Sequence, residues 1–251
     1  MNILITGASG LIGSALVEYF VNGGNSIFSL QRNKNGGSGS FWNFERLKAE
    51  GTSLTFDAVI HLAGENIADG RWTRRKKSRI LNSRINGTRE LAKFCAELEK
   101  RPDVFISASA IGYYGSQGDT ILDEDGTTGN NFVAEVCREW EEASRIAETA
   151  DIRVVNPRIG MVLSGHGGTL STMLPSFKLG IAGIVGNGKQ YVSWIDIRDI
   201  VSTIHFLITN SSISGPVNLV SPHPVTNYEF TKTLGKVVKK PTVMRMPAFA
   251  A

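Results

Sequence analysis

The most constraining feature of this chain is a glycine-spaced turn close to its start. An apolar run at residues 3–5 precedes Gly7, Gly10 and Gly13, and an apolar-periodic stretch at 11–20 follows. Gly7 permits a tight turn, Gly10 lets the backbone approach a bound phosphate, and Gly13 brings the following helix close to the sheet. The order of these segments predicts a strand, a tight turn and a helix.

A turn of this kind is typical of proteins that bind a dinucleotide. The pyrophosphate then lies at the helix N-terminus, where backbone amides lack an intrahelical partner. The spacing here is G-x-x-G-x-x-G instead of the usual G-x-G-x-x-G, so the strand–turn–helix context carries the argument. The residues of the turn that we expect to contact a cofactor are Gly7, Ser9, Gly10, Leu11, Ile12 and Gly13.

Composition argues against several other classes of protein. The 251 residues carry 27 basic and 23 acidic side chains, and a net charge of +4 does not by itself indicate nucleic acid binding. No apolar run approaches the ~20 residues of a membrane span, and no charged leader precedes the first strand, so we expect a cytoplasmic protein.

Cys95 and Cys137 form no C-x-x-C pair, and we expect buried free thiols. The four histidines show no metal-ligand spacing, so we expect no metal site.

Strand-like and helical segments alternate along the first 157 residues. The predicted strands are Asn2–Thr6, Ser26–Leu30, Asp57–Leu62, Asp103–Ser107 and Arg153–Pro157. The predicted helices are Leu11–Asn22, Arg75–Glu99 and Asn131–Thr149, and the predicted polar loop is Asn33–Ser40. This alternation favours an α/β fold with a doubly wound parallel sheet of the Rossmann type.

The pattern loosens after residue 157. Residues 164–189 hold seven glycines and little periodicity, whereas 191–209 and 217–220 indicate further α/β elements. Asn227 is a candidate cap for a late helix that ends at Val238. We therefore predict a dinucleotide-binding half at 1–157, and further sheet elements with a small C-terminal substrate lobe at 158–251, in one integrated unit.

The residue after the second predicted strand indicates which dinucleotide binds. In NAD-binding folds an Asp or Glu about 20 residues after the glycines holds the ribose 2′-hydroxyl. This chain has no carboxylate there, and Arg32 occupies the position. A guanidinium suits a 2′-phosphate, so the sequence predicts NADP(H) over NAD(H). The alternative is that Arg32 is a solvated loop cation.

The third predicted strand ends in His61, Leu62, Ala63 and Gly64. Small residues at this end would let the backbone lie close to an adenine or ribose. A tight turn that only redirects the chain accounts for them equally well.

Several segments together resemble the extended short-chain dehydrogenases/reductases. They are Thr6–Gly13, His61–Gly64, Asn86–Thr88, Asn156–Arg158 and Trp194–Asp199. A narrower resemblance, to the atypical YfcH-type NAD-dependent epimerase/dehydratase branch ("epimerase family proteins"), rests on Gly64–Ile67, Arg71–Trp72, Ser83–Arg84, Ser109–Gly115 and Cys137–Glu141. The resemblance covers nearly the whole chain and implies an NADP(H)-binding oxidoreductase or a nucleoside-diphosphate-sugar epimerase homologue. Chains of that branch usually continue beyond the position of Ala251, so we expect the C-terminal end to be incomplete.

The resemblance also implies a set of cofactor contacts. They are Arg32, Leu62, Ala63, Arg79, Arg84 and Val162. Arg84 lies two residues before Asn86, and we expect helical geometry to turn it toward the edge of the sheet where the cofactor binds. A solvated helix face is the alternative for Arg79 and Arg84.

The proton-transfer pair that this family normally uses, Tyr-x-x-x-Lys, is missing from the expected helix. Phe132 occupies the tyrosine position and Val136 the lysine position, and neither side chain can move a proton. A literal match from Tyr228 to Lys232 opens a late helix and is interpreted as coincidental.

A replacement proton donor is predicted in the loop 107–115, after the fourth predicted strand. The candidate catalytic residues are Ser109, Tyr113 and Tyr114. A serine hydroxyl there would polarise a carbonyl while a neighbouring tyrosine donates a proton. The alternative is that the tyrosines line the pocket and the serines cap a turn.

Two classes of function follow from the sequence. The first is NADP(H)-dependent hydride transfer to or from a carbonyl or sugar-like carbon of a small molecule. The second is an NADP(H)-binding sensor or partner-binding protein with little turnover, which the missing Tyr-x-x-x-Lys pair favours.

For the basic run 71–77 we expect a solvated face or a phosphate contact, and we expect neither nucleic acid nor a membrane as a partner. A homodimer is compatible with the sequence, and the glycines of 165–168 suit either a substrate lid or a plain loop.

Overall fold

The computed structural model describes residues 1–32, 41–49 and 55–246. The strands are β1 (Asn2–Thr6), β2 (Ser26–Leu30), β3 (Ala58–His61), β4 (Val104–Ser107), β5 (Ser109–Ala110), β6 (Arg153–Ile159), β7 (Met161–Leu163), β8 (Gly183–Val185), β9 (Tyr191–Val192), β10 (Trp194–Asp196), β11 (Gly215–Leu219), β12 (Val225–Thr226) and β13 (Met244–Met246). The α-helices are α1 (Leu11–Asn22), α2 (Phe44–Ala49), α3 (Arg74–Ala96), α4 (Phe132–Ser144), α5 (Gly168–Lys178), α6 (Ile197–Thr209) and α7 (Asn227–Val237). The predicted loop Asn33–Ser40 lies outside the described residues.

Parallel strands form the central sheet. Its order is β11–β6–β4–β3–β1–β2, and the short β5 pairs with the end of β6. Every pair in this sheet is parallel, so the carboxyl ends of all its strands lie at one edge. The chain moves outward from β1 to β2 and then crosses to β3 on the other side of β1, which creates a topological switch point beside β1. This arrangement confirms the predicted Rossmann-type α/β fold.

Helices cover both faces of the sheet because the strands are apolar on both sides. Ile3 and Ile5 pack with Leu16 of α1 and Ile204 of α6 on one face. Leu4 points the other way and packs with residues of α3 that include Leu91 and Cys95. Strands buried on both faces read as continuous apolar runs, which explains why the first strand is so clear in the sequence.

The long helices begin where the sequence offers a side-chain cap. Thr73 Oγ1 accepts from the Lys76 amide at the start of α3, and Asn131 Oδ1 accepts from the Ala134 amide at the start of α4. The helix predicted to Thr149 ends earlier, because α4 stops at Ser144 and continues as a 3₁₀ helix over Arg145–Ala150.

The second half of the chain contributes a strand to the same sheet, because β11 pairs with β6. The pairs β7–β10, β9–β12 and β8–β13 form three further two-stranded sheets. The glycine-rich segment 164–189 contains α5, a helix that periodicity did not reveal. The cap predicted at Asn227 is wrong: Thr226 caps α7 in a capping box with Glu229, and the Asn227 side chain accepts from the Val185 amide instead.

Two further expectations concern thiols and membranes. Cys95 and Cys137 are free and buried, as the sequence predicts. In the parts of the chain that the structure describes, no helix is both long enough and apolar enough to cross a membrane.

Candidate functional site

The glycine turn lies at the carboxyl edge of the sheet, against the end of β3. Gly7 has a φ of +73°, which favours glycine, and a Cβ added there would lie 3.0 Å from the carbonyl carbon of Leu62 and from the amide nitrogen of Ala63. Any side chain at Gly7 would push these two segments apart. The turn after β1 and the exit from β3 therefore form one continuous backbone surface.

No side chain caps the backbone amides at the N-terminus of α1. Gly10 is the N-cap residue, it provides no side-chain cap, and the first turn of α1 contains no acidic residue. A Cβ on Gly10 would meet only the Gly7 carbonyl oxygen, at 3.3 Å, whereas a Cβ on Gly13 would overlap that same oxygen. The absence of a side chain at Gly13 therefore allows α1 to pack closely against the turn. Open amides and the positive end of a helix of 12 residues suit an anionic ligand.

A buried hydrogen-bond relay, which the sequence did not reveal, connects this turn to α3. Thr6 Oγ1 lies 2.7 Å from His61 Nδ1 and accepts from the Leu62 and Ala63 amides at 3.2 and 3.3 Å. On the other side of the ring, His61 Nε2 lies 2.9 Å from Thr88 Oγ1, whose hydroxyl donates to the Arg84 carbonyl at 2.6 Å.

These partners assign the His61 tautomer. Because the Thr88 hydroxyl donates to the Arg84 carbonyl, Thr88 accepts from His61 Nε2–H, and His61 Nδ1 accepts from the Thr6 hydroxyl. Burial, followed by the nearby Arg84 charge, lowers the pKa of His61 to about 3. The imidazole is therefore neutral near pH 7, and it fixes the backbone at the exit of β3.

Arg84 extends from α3 toward that exit. Its Nη1 donates to the carbonyl oxygens of Glu65 at 3.1 Å and Ile80 at 3.2 Å, and its Cζ lies 4.8 Å from the centre of the Trp140 ring on α4. A Cβ added to Gly64 would lie 2.9 Å from the guanidinium carbon. Burial lowers the pKa of Arg84 below its usual range. The structure thus places a largely buried cation directly beside the β3 exit.

Arg79 and Arg32 are more exposed to solvent than Arg84. Arg79 is exposed and pairs with the Glu65 carboxylate at 2.7 Å, which also binds Lys76 at 2.9 Å. Hydrogen bonding from Lys76, followed by the charge of Arg79, lowers the pKa of Glu65 despite the opposing effect of desolvation. Arg32 is exposed, two residues beyond the end of β2, at the same edge of the sheet as the glycine turn. Val162 lies on β7, half-buried against the core.

The loop after β4 is held by a buried arginine on β6. Arg158 binds both oxygens of the Glu141 carboxylate at 2.9 Å, and Ser109 donates to Glu141 Oε1 at 2.6 Å. The ring of Tyr113 lies over the guanidinium, with its centre 3.6 Å from Arg158 Cζ. Burial alone would lower the pKa of Arg158, but the hydrogen bonds to Glu141 raise it. Arg158 is therefore a fixed charge beneath the predicted catalytic loop.

Tyr114 belongs to the same buried network. Its hydroxyl accepts from Arg158 Nη1 at 2.8 Å and donates to Asn218 Oδ1 on β11 at 2.6 Å. Glu124 completes the network, since its carboxylate accepts from the backbone N–H of Asn218 at 2.7 Å and its backbone carbonyl accepts from Arg158 at 2.9 Å. Burial raises the pKa of Tyr114 above its usual range. The structure thus brings Ser109, Tyr113 and Tyr114 together around Arg158, a residue that was not predicted to lie in the site.

The face of α4 toward this loop carries no proton-transfer pair. The side chains against Gly112 are Val133 and Cys137, four residues apart, while Phe132 packs against α3 and its preceding loop. Burial raises the pKa of the Cys137 thiol, in spite of hydrogen bonds to Ala110 and Ser109. The tyrosine and lysine positions of Tyr-x-x-x-Lys fall either on Phe132 and Val136 or, one residue later, on Val133 and Cys137. Neither pair contains a phenol or an ammonium group. Within residues 1–32, 41–49 and 55–246, no group of three potential metal ligands occurs either.

The fold and this edge define an α/β protein with a dinucleotide-type glycine turn, and sequence comparison identifies the family. The profile of the NAD dependent epimerase/dehydratase family matches residues 3–219. An epimerase family protein of Mycobacterium bovis is 40% identical over 250 residues, which cover 99% of this chain and 82% of that protein. The chain belongs to the NAD dependent epimerase/dehydratase family.

Solved structures agree with this assignment. The crystal structure of human epimerase family protein SDR39U1 (isoform 2) with NADPH has a TM-score of 0.88 and 30% identity, and the match covers 98% of this chain and 83% of that one. A nucleoside-diphosphate sugar epimerase from Corynebacterium glutamicum has a TM-score of 0.78 and 34% identity, over 99% of this chain and 53% of that one.

Proposed function

We propose that this chain binds NADP(H) and transfers hydride to or from a carbonyl or sugar-like carbon of a small molecule. The observation that carries the proposal is the open N-terminus of α1 beside a strand end that has Arg32 in place of a carboxylate. A carboxylate there would repel a 2′-phosphate, whereas a guanidinium attracts it. The NADPH in the human relative supports the same cofactor.

The same edge offers contacts for each part of the dinucleotide. The amides of the turn and of α1 would hold the pyrophosphate, and Arg32 would hold the 2′-phosphate. The exit of β3 would lie against the adenosine, and Arg84 would donate its remaining N–H groups to the ligand. The proposed cofactor contacts are Gly7, Ser9, Gly10, Leu11, Ile12, Gly13, Arg32, Leu62, Ala63, Gly64, Arg79, Arg84 and Val162. When bound, the nicotinamide supplies or accepts the hydride.

Titration calorimetry with NADPH and NADH tests the proposal. The wild type should bind NADPH more tightly than NADH, and Arg32→Asp should weaken NADPH binding on the order of 100-fold while changing NADH binding little. Arg89→Asp makes the same change of charge at an exposed position of α3 and should leave both affinities unchanged. Equal weakening of both ligands by Arg32→Asp would contradict the assigned role, and no binding of either ligand would refute the proposed function.

A second function, an NADP(H)-binding sensor or partner-binding protein with little turnover, has a specific observation in its favour. Two of the three candidate hydroxyl groups, on Ser109 and Tyr114, donate to half-buried acceptors of the protein itself, Glu141 and Asn218. NADPH oxidation in the presence of a panel of carbonyl compounds separates the two functions. Tight NADPH binding without oxidation by any compound would favour the sensor.

We also propose a reducing location, the cytoplasm, for this protein. The support is that Cys95 and Cys137 are free thiols, which are typical of reducing compartments. Fractionation of cells that express a tagged protein tests this, and recovery from an oxidising compartment or a membrane fraction would contradict it.

A further inference from the structure

The three hydroxyl groups predicted as proton donors differ in where their protons point. Ser109 donates to the Glu141 carboxylate and Tyr114 donates to Asn218, both at 2.6 Å. The Tyr113 hydroxyl makes no hydrogen bond to any residue that the structure describes, and Tyr113 is half-buried. Of the three groups, Tyr113 is the one whose proton is free to be donated to a ligand.

Tyr113 also has a permanent positive charge against its ring. The centre of the ring lies 3.6 Å from Arg158 Cζ, which is within the range of a strong cation–π contact. Glu141 holds Arg158 in this position through two hydrogen bonds of 2.9 Å, and the Arg158 side chain is only 3% exposed. The contact with this fixed guanidinium therefore holds the ring of Tyr113 in one orientation.

The position of Tyr113 suits a ligand that reacts at the carboxyl edge of the sheet. The 3₁₀ turn that carries it, Ile111–Tyr114, directly follows β5, and β5 pairs with Arg158 and Ile159 at the end of β6. Open α/β sheets bind their ligands outside the carboxyl ends of the strands. A backbone hydrogen bond holds the turn in place, since the Gly129 amide donates to the Tyr113 carbonyl at 2.8 Å.

We propose that Tyr113 is the catalytic proton donor and acceptor of this site, and that Arg158 and Glu141 are its positioning residues. The pair of Tyr113 and Arg158 supplies a phenol and a fixed cation, and neither group is present at the α4 positions where the family normally carries its Tyr-x-x-x-Lys pair. This assignment rests on the proposed hydride transfer. In the reduction, the carbonyl carbon accepts a hydride from NADPH, its oxygen accepts the Tyr113 proton, and the tyrosinate is reprotonated from water. The products are the alcohol and NADP⁺, and the oxidation follows the reverse path.

Chemical labelling tests the position of Tyr113 without a known substrate. The folded chain is treated with a tyrosine-directed aryl sulfonyl reagent, with and without saturating NADPH, and the labelled sites are identified by peptide mass spectrometry. Tyr113 should be labelled in the free protein and protected by NADPH. Tyr191 and Tyr228, which are 47% and 50% exposed, should be labelled equally in both samples. Equal labelling of Tyr113 with and without NADPH, or no labelling at all, would overturn the assignment.

Kinetics test the proton transfer with phenanthrenequinone as the carbonyl probe. Tyr113→Phe should lower kcat for NADPH oxidation by about 100-fold or more, the usual contribution of a general acid, and leave the Kd for NADPH unchanged. Tyr228→Phe is the matched control, because Tyr228 begins the coincidental Tyr-x-x-x-Lys match on α7 and should leave kcat unchanged. Full activity of Tyr113→Phe would overturn the assignment while leaving the proposed function intact.

Calorimetry separates failure of the assignment from failure of the proposed function. Absence of NADPH binding to the wild type would refute the proposed function and the assignment with it. If NADPH binds but the wild type does not oxidise it with the probe, the labelling result decides the assignment alone.

Discussion

His61 shows how much a single buried residue contributes to this edge, because its ring connects the glycine turn to α3 through two threonine hydroxyls. Its pKa is about 3 in the folded chain, compared with about 6.5 in the unfolded chain. Between these values the unfolded state binds the extra proton, so the free energy of unfolding falls as the pH falls. The contribution of His61 is fully present above pH 6.5.

Urea unfolding at pH 7 and pH 5 measures this contribution. The slope for one such group is about 1.4 kcal/mol per pH unit, so His61 should account for a loss of roughly 2 kcal/mol over this interval. His61→Gln removes the titrating group and should reduce the loss by about this amount. His223→Gln, at an exposed position, should not change it. An identical loss in the wild type and in His61→Gln would show that the imidazole is not buried in its neutral form.

The residues of the site differ in how far the sequence could reveal them. The position of Arg32 just after β2 could be predicted, because the end of β2 lies at a nearly constant distance from the glycines along the chain. Arg158 could not, because its role depends on Glu141, Tyr114 and Asn218, which come from distant parts of the sequence. The available signal was an arginine in a strand that also carries Val154, Val155 and Ile159, since a charge among apolar neighbours needs a partner.

At the scale of elements, the approach of α1 to the glycine turn depends on the absence of a side chain at Gly13. A Cβ there would overlap the Gly7 carbonyl oxygen, so Gly13→Ala should displace α1 and cost about 1–3 kcal/mol of stability. The displaced amides should also weaken NADPH binding. Gly165→Ala is the control, because a Cβ at that position would meet no atom within 4 Å. Urea unfolding and calorimetry measure both effects, and an unchanged stability of Gly13→Ala would mean that the turn is not closed as described.

Some helices could be predicted from the sequence, and others could not. α1, α3 and α4 were predicted because each has a regular apolar face, and Thr73 and Asn131 cap the last two. α5 was missed because it begins at a glycine, contains Pro175 and buries few side chains, of which Phe177 is the most deeply buried. Periodicity detects a helix only when one face is consistently buried.

At the scale of the whole molecule, the two predicted halves share one sheet and one buried ion pair. β11, from the second half, pairs along β6, and Tyr114 from the first half donates to Asn218 on β11. Glu141 precedes the predicted boundary at residue 157 and Arg158 follows it, so their contact crosses the boundary. The boundary therefore divides the sequence and not the folded unit, which supports the proposal of one integrated domain.

The ion pair of Glu141 and Arg158 should consequently stabilise the whole chain. Glu141→Gln removes the charge that compensates a guanidinium whose side chain is only 3% exposed, and should cost on the order of 3 kcal/mol. Glu142→Gln makes the same change on the next residue of α4, where the carboxylate is exposed and pairs with Arg145 at 3.4 Å, and should cost little. If the two halves form one cooperative unit, tryptophan fluorescence and far-UV circular dichroism should report a single coincident transition in urea for both variants, shifted to lower urea only in Glu141→Gln. Separate transitions would show that the halves unfold independently, and equal midpoints for the two variants would show that the buried pair contributes no stability.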